Sequence, residues 1–271
     1  MITQKTDTPA PPRPPGEVRA TARALAILSF LAGPDSNEWS LDEIATGVDL
    51  PKSTTHRLIE TLRGHGFVTP GRVAGSYRLG IEAAIVGSKA IQAQRPGTEV
   101  RRLIANAASE IGETVGLNIL EGRQTVVVEK GIPPRPFSWN LGVGATMPAH
   151  ACAVGKVLLS GMDDDAVRER LGGEQLPPSG SKSITDVAEL LEHLAFVRLN
   201  GYAIDDEEYE DGLRCVAVPV VDRRGEITHA IGITAPTSRI SHRELVEHSK
   251  RLAELSREVG SYLGFSAVEG R

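Results

Sequence analysis

The stretch from Ser40 to Gly66 constrains this chain most, because it specifies two short helices with almost nothing between them. Ser40-x-x-Glu43 is a capping box, in which the serine hydroxyl takes a backbone N–H of the first turn and the glutamate reaches back to the cap. It opens a helix with Leu41, Ile44 and Ala45 facing inward, and Gly47 ends that helix. After only Val48-Asp49-Leu50, Pro51 supplies the favoured first position of a further helix. Two short helices around a tight, glycine-bearing turn outline a helix-turn-helix.

The second of these helices divides cleanly by face. Thr55, Leu58, Ile59 and Leu62 fall at i, i+3, i+4 and i+7 and make the buried stripe. Ser53, His56, Arg57 and Glu60 repeat the spacing on the other side, with Lys52 and Thr54 near the N-terminus. Short hydroxyls and bases are what phosphate contacts and base edges require. Ser53 and Thr54 also suit helix capping, and the two roles coexist because a helix N-terminus favours phosphate. Gly64 and Gly66 close the helix. Phe67–Thr69, a Pro70-Gly71 turn and Ser76–Leu79 then read as a hairpin wing with Arg72 near its tip. An earlier helix from Glu17 carries Val18, Ala22, Leu25, Leu28 and Leu31 as its apolar stripe and stops at Gly33-Pro34.

Net charge is −5, which argues against nucleic acid only if read as a single number. Between residues 50 and 80, Lys52, Arg57, Arg63, Arg72 and Arg78 face Glu60 alone, and a docking face attracts phosphate by its local charge. Cys152 and Cys215 are the only cysteines, far apart, which excludes a disulfide framework or a zinc finger and fits a reducing compartment. No apolar run approaches the ~18–20 residues that span a bilayer. The N-terminus lacks the order of a signal peptide, so a cytoplasmic protein is expected. Residues 1–16 hold five prolines and little that is apolar, and are read as a disordered tail.

Beyond the wing, a connecting helix is expected over 81–95, broken by Pro96-Gly97. Val100, Leu103, Ile104, Ala107 and Ile111 mark a helix, and 115–120 and 125–130 flank a turn as a hairpin. Helices follow near 151–160, 163–171 and 185–200. Strands 215–221 and 227–234 pair across Asp222–Gly225, and a last helix opens at Ser241-x-x-Glu244 with Leu245, Leu252, Leu255 and Val259 on one stripe. The fold class is α+β: a winged helix-turn-helix over 17–80, then an α/β domain over 96–265 with a largely antiparallel sheet under helices.

These residues in this order resemble the IclR family of bacterial regulators, from about Val18 to Leu263. The pieces are "RALAILSFL", "SLDEIATGVDLPKSTTHRLIETLRGHGFV" and "SYRLG", then "GETVGLNIL", "MPAHACAVGKVLLS", "NGYAIDDEEYEDGLRCVAVPVVD" and "HAIGIT". The resemblance implies a winged helix-turn-helix, a linker helix and a GAF-like effector domain. It also implies dimers, often paired into tetramers, that bind palindromic operators and respond to small organic acids or aromatics. Residue by residue, it carries DNA contact onto Ser53, Thr54, His56 and Arg57, and more weakly onto Arg23, Arg72 and Tyr77. It carries the effector pocket onto Trp139, Met147, Ala153, Val154, Asp205, Leu213, Cys215, Gly232 and Thr234, with His150 in the same loop a candidate to face it.

Two positions depart from the family pattern. Thr55 stands where an apolar residue is usual, and its hydroxyl is expected to bond back to a helix carbonyl at small cost. Gly232 stands where a hydroxyl side chain is common, which implies a roomier, less polar pocket and puts a two- or three-carbon acid in doubt.

Other chemistries weigh less. Gly155-Lys156 invites a phosphate-loop reading, but Val157 stands where Ser or Thr is required. The better reading is a Gly-rich segment feeding a helix N-terminus near 151–153, whose amides and dipole suit a ligand carboxylate, or else an ordinary strand-to-helix connection. His150, Cys152 and Cys215 lack the partners that a metal site or a Cys–His nucleophile needs. Neither a cofactor nor a metal is therefore expected. The acidic run 205–211 reads as a solvated face, save that Asp205 follows apolar residues and either points into a pocket or caps the next turn. Trp139 is either an aromatic wall or core. The sequence thus reads as a DNA-binding regulator under effector control, rather than a sensor acting through a protein partner or a Cys/His-dependent enzyme.

Overall fold

The computed structural model describes residues 17–33, 36–135, 139, 141–222 and 224–263, and the proline-rich segment 1–16 and the Pro34 helix stop lie outside them. By proximity the described residues up to Ala93 cluster as one unit and those from Gln94 as another.

The first unit contains α1 (Arg19–Leu31), β1 (Trp39–Ser40), α2 (Leu41–Gly47), α3 (Lys52–Gly64), β2 (Val68–Pro70), β3 (Ser76–Leu79) and α4 (Ile81–Gln94). Both halves of the Ser40/Glu43 capping box form: Glu43 N–H donates to Ser40 Oγ at 3.3 Å and Ser40 N–H to Glu43 Oε2 at 2.8 Å. Pro51 caps α3 from just outside rather than occupying its first turn. Ile27, Leu31, Ile44, Ile59 and Val68 form the core, each side chain worth ~1.5–3 kcal/mol of burial. Thr55 is buried among them, and its hydroxyl donates to the Pro51 carbonyl at 3.2 Å, the back-bond its position called for.

The expected stripe of α1 is only half right. Ile27 and Leu31 are buried, while Leu25 and Val18 stay 58% and 64% exposed. Packing against α2 and α3 settles on the Ile27 side, and Leu25, two residues away, points ~200° around the helix. The wing gains a strand that is too short to announce itself in sequence: β1 pairs with β3, placing Trp39 opposite Tyr77.

The second unit contains α5 (Thr98–Ile111), β4 (Thr114–Glu121), β5 (Gln124–Gly131), β6 (Thr146–Pro148), α6 (Ala153–Ser160), α7 (Asp164–Leu171), α8 (Val187–Asn200), β7 (Ala203–Asp206), β8 (Leu213–Val221), β9 (Ile227–Pro236) and α9 (His242–Leu263). Its sheet runs β6-β5-β4-β9-β8-β7, antiparallel throughout. Alternation along each strand sorts the two faces. Val115, Leu117, Val216, Val218, Ile231 and Ile233 meet α5 and α9 on one side. On the other, Val127, Ala217 and Ala230 meet α6, with α7 and α8 packed outside. Among the described residues no helix is long and apolar enough to cross a membrane.

All eight residues of α6 are buried, which is possible only because Gly155 carries no side chain. A Cβ there would lie 2.1 Å from the Ala149 carbonyl oxygen, a backbone atom that cannot swing aside. Gly155→Ala should therefore lower the unfolding free energy by about 1–3 kcal/mol. The midpoint of a urea melt reads this, and an unchanged midpoint would mean that α6 has room to shift.

Candidate nucleic-acid face and ligand cavity

On α3 the buried residues are Thr55 and Ile59, so the face turned to solvent is the one carrying Lys52, Ser53, His56 and Arg57. All four are exposed, and Thr54 is half-buried beside them. Lys52 Nζ holds Asp42 Oδ1 at 2.5 Å and must exchange that carboxylate for a phosphate to contact DNA. At the wing tip Arg72 is exposed, and its backbone N–H donates to the Glu38 carboxylate, which also accepts from Ser76 Oγ. Those two bonds hold the Glu38 carboxyl below its ordinary range and pin the tip of the wing. Arg23 is exposed on α1. Tyr77 differs from expectation: it is half-buried and packs against the core of this unit, which leaves it less able to reach a duplex.

The second unit encloses a cavity between the sheet and the N-terminal turn of α6. Its volume is about 40 Å³, enough for ordered water or a small molecule. Trp139, Met147, Ala153, Val154, Cys215, Gly232 and Thr234, seven of the residues expected at an effector pocket, line it. Trp139 is thus a wall, and its ring meets Tyr209 edge-on at 6.2 Å.

Three expected residues stand elsewhere. His150 is buried with its Nε2 donating to the Pro177 carbonyl at 2.9 Å, and burial depresses its pKa. Leu213 is buried on β8 opposite Pro236, outside the lining. Asp205 caps the following turn, its Oδ1 accepting from Glu208 N at 2.8 Å and Tyr209 N at 3.3 Å. Register explains why Asp205 misses the cavity. Thr114, Thr234, Cys215 and Asp205 are successive cross-strand neighbours on β4, β9, β8 and β7, so Cys215 stands between Asp205 and the open space.

Gly232 also behaves differently from expectation. The volume its side chain would fill is taken by Val154, whose Cγ1 lies 2.9 Å from where a Cβ would be, and by Ala217 at 3.3 Å. The glycine adds no room, and the objection to a small acid falls with it.

Sequence reasoning missed Thr114, Gly116, Asn118, Val127, Lys130, Leu141 and Cys152, all of which line the cavity. The signal for three of them was present. Thr114, Gly116 and Asn118 are the small or polar positions alternating with Val115, Leu117 and Ile119, the pattern of a strand with one apolar face. Lys130 carried no such signal. Three residues separate it from Val127, which on a regular strand puts the two on opposite faces. The register shift between Leu117 and Asn118 inserts an extra residue into β5 and brings both to the cavity side.

Behind the cavity lies a buried charged cluster. Lys156 Nζ donates to both oxygens of Glu208 at 2.6 Å, and Asp205 Oδ2 has no partner. Burial, then the Glu208 charge, pushes Asp205 up to about 7, against the opposing pull of its backbone donors and Lys156. Burial pushes the Cys152 thiol up to about 12 and Cys215 well above its usual range, so neither is a thiolate at neutral pH. A nucleophilic role for them loses its basis.

Because Asp205 holds its proton more tightly folded than unfolded, its ionisation costs stability, increasingly from about pH 4 to about pH 7 and fully above that. Lys156, Glu208, Tyr209, Cys152 and Cys215 surround it, and an asparagine keeps the acceptor for Glu208 and Tyr209 without the charge. Asp205→Asn should raise the melting temperature at pH 8 and lose that advantage by pH 4. A gain independent of pH, or a loss at pH 8, would show that the ionised carboxylate is wanted there.

Comparisons place this geometry among known proteins. The sequence model of the IclR helix-turn-helix domain matches residues 20–71, and that of the bacterial transcriptional regulator IclR C-terminal domain matches 91–261. The chain is 30% identical over 246 residues to the transcriptional repressor IclR of Escherichia coli K12, covering 90% of this chain and 89% of the relative. It is 32% identical over 257 residues to the transcriptional regulator XynR of the same organism, covering 92% and 99%. An IclR transcriptional regulator from Alicyclobacillus acidocaldarius superposes with a TM-score of 0.72 at 26% identity, covering 91% of this chain and 99% of that one. An IclR homologue from Microbacterium hydrocarbonoxydans, solved with 4-hydroxybenzoate, shares the fold with a TM-score of 0.68 at 23% identity, covering 89% and 99%. The chain belongs to the IclR family of transcriptional regulators, with its DNA-binding helix-turn-helix at the N-terminal end.

Proposed function

We propose that the protein binds a palindromic operator sequence-specifically as a homodimer or a pair of dimers, and that a small organic acid or aromatic in the cavity modulates that binding. It acts in the cytoplasm, without enzymatic turnover. The observation that carries the DNA reading is the exposed Ser53, His56 and Arg57 face of α3, with exposed Arg72 in the same unit. Arg57 is assigned the leading contact, because guanidinium pairs bidentately with guanine or clamps a phosphate. Lys52, Ser53, Thr54 and His56 support it, Arg23 and Arg72 are assigned to the backbone, and Tyr77 steadies the wing.

Self-association is supported by apolar side chains that the first unit leaves uncovered. Val18 just before α1, Leu25 on α1, and Ile81, Ile85 and Val86 on α4 are all 46–70% exposed. Such surface on two helices of one small unit fits an interface between copies. A two-fold dimer would set two recognition helices about one turn of DNA apart, which is why the operator is proposed to be palindromic. The cavity in the second unit supports the effector reading, as do the 4-hydroxybenzoate held by a protein of the same fold and the thiols that burial keeps un-ionised. Modulation requires only that the effector bind one arrangement of the dimer better than another.

The test is a shift assay on DNA from upstream of the protein's own gene across a salt series. Wild type should bind tightly and lose affinity steeply as salt rises. Arg57→Ala should weaken binding by about 1–3 kcal/mol if Arg57 reads a base. Unchanged affinity in the variant would remove Arg57 from the recognition face, and the absence of specific binding by wild type would contradict the reading.

A further inference from the structure

The lining of the cavity is uneven in its chemistry. Trp139, Leu141, Met147, Val127 and Val154 present apolar surface, and the thiols are un-ionised. Among the described lining residues Lys130 is the one basic or acidic side chain. Its neighbour Glu129 points to the other face of the sheet, where it pairs with Arg95 at 2.9 Å. The Lys130 ammonium donates to the Leu141 carbonyl at 2.8 Å, and Leu141 is itself a lining residue, which fixes the charged head at the cavity wall.

A second feature lies diagonally across the strand pair. Lys130 stands opposite Gly116 on β4, and Asn118 is two residues further along on the same face. Asn118 is 3% exposed, it lines the cavity, and its Oδ1 is buried without a hydrogen-bond partner. A buried acceptor left unmade is costly, and a donor from a bound molecule would remove that cost. Gly116 faces Gly232 across the β4–β9 pair, and Asn118 Nδ2 lies 3.3 Å from where a Cβ on Gly116 would be.

We propose that the occupant of this cavity is a small hydroxy acid, its carboxylate on Lys130 and its hydroxyl donating to Asn118 Oδ1. The inference rests on the reading of the cavity as the effector site and narrows it to a class. Lys130 selects for the anion, and Asn118 selects for a donor beside it. A simple carboxylate of the same size leaves Asn118 unsatisfied, and a diol lacks the charge that Lys130 attracts. The discrimination follows from the cost of an unpaired buried polar group, which separates ligands that differ by one hydroxyl far better than an apolar pocket does.

Calorimetric titration of the full chain with lactate, propionate and 1,2-propanediol tests this. Wild type should bind lactate about tenfold or more tighter than either of the others. Lys130→Met should lower lactate and propionate affinity together by about tenfold or more while leaving the diol unchanged. Asn118→Ala should bring lactate down to propionate, and the ratio of the two affinities reads this even if the variant is less stable. Absence of lactate binding, equal affinity for lactate and propionate in wild type, insensitivity of both to Lys130→Met, or preference for 4-hydroxybenzoate would each overturn the proposal. Lactate binding with the expected signature that leaves operator affinity unchanged would uphold the site while contradicting its role in regulation.

Discussion

The second unit is organised by a single requirement: a six-stranded antiparallel sheet must find a different partner for each of its faces. On one side β-branched and leucine side chains close against α5 and α9 with no space to spare. On the other the covering helix is only eight residues long, and the strands beneath it carry glycine, alanine, threonine and cysteine. Small residues under a short helix leave a hole, and the hole is where the polar groups gather. Its placement follows from register. Gly116 and Gly232 face one another at the centre, with Thr114, Thr234 and Cys215 one row along and Asp205 one strand beyond. The charged groups then divide by depth, with Lys130 at the cavity wall and the Lys156–Glu208 pair buried behind it. Removing one member of such a buried pair is far more damaging than never having had it, so the cluster is a fixed part of the scaffold.

The DNA-binding unit is governed by a comparable economy. Its core is small, and α3 gives it Ile59 with flanking contacts from Leu58 and Leu62, leaving an entire polar face for another task. The side chains on that face are anchored unequally. Lys52 is held by Asp42 and Arg63 by Glu60, whereas the wing is held through its backbone by Glu38. Pinning the backbone of Arg72 while exposing its guanidinium positions a charge without neutralising it.

Much of the first unit was legible in the sequence, because capping boxes, glycine stops and a 3.6-residue stripe are local signals. The Thr55 back-bond follows from a hydroxyl at a buried helix position. The stripe of α1 misled because Val18 and Leu25 lie outside the core of this unit, and periodicity alone cannot tell a core from an uncovered surface. In the second unit the long strands and helices were readable, while two- to four-residue strands such as β1, β6 and β7 were not. Seven lining residues followed from family resemblance. Lys130 did not, since its place depends on an irregularity in β5 that appears only when the strand is paired. Asp205 and Leu213 were carried to the cavity by the family resemblance and His150 by its place in the same loop, and strand register and packing put them behind or beside it. The room expected from Gly232 vanished because Val154 occupies it, a contact between elements nearly eighty residues apart.

If an effector in the cavity of the second unit governs the DNA face of the first, the two sites must be linked, and the decisive measurement is of that linkage. An acid that binds the cavity should be titrated into protein with and without saturating operator, and operator into protein with and without saturating acid. Thermodynamic reciprocity requires the two ratios to agree, and a regulatory coupling of ordinary size predicts a shared factor of about 5–150. Affinities that are the same with and without the other ligand would contradict the account, leaving a DNA-binding protein and a ligand-binding protein in one chain without communication between them.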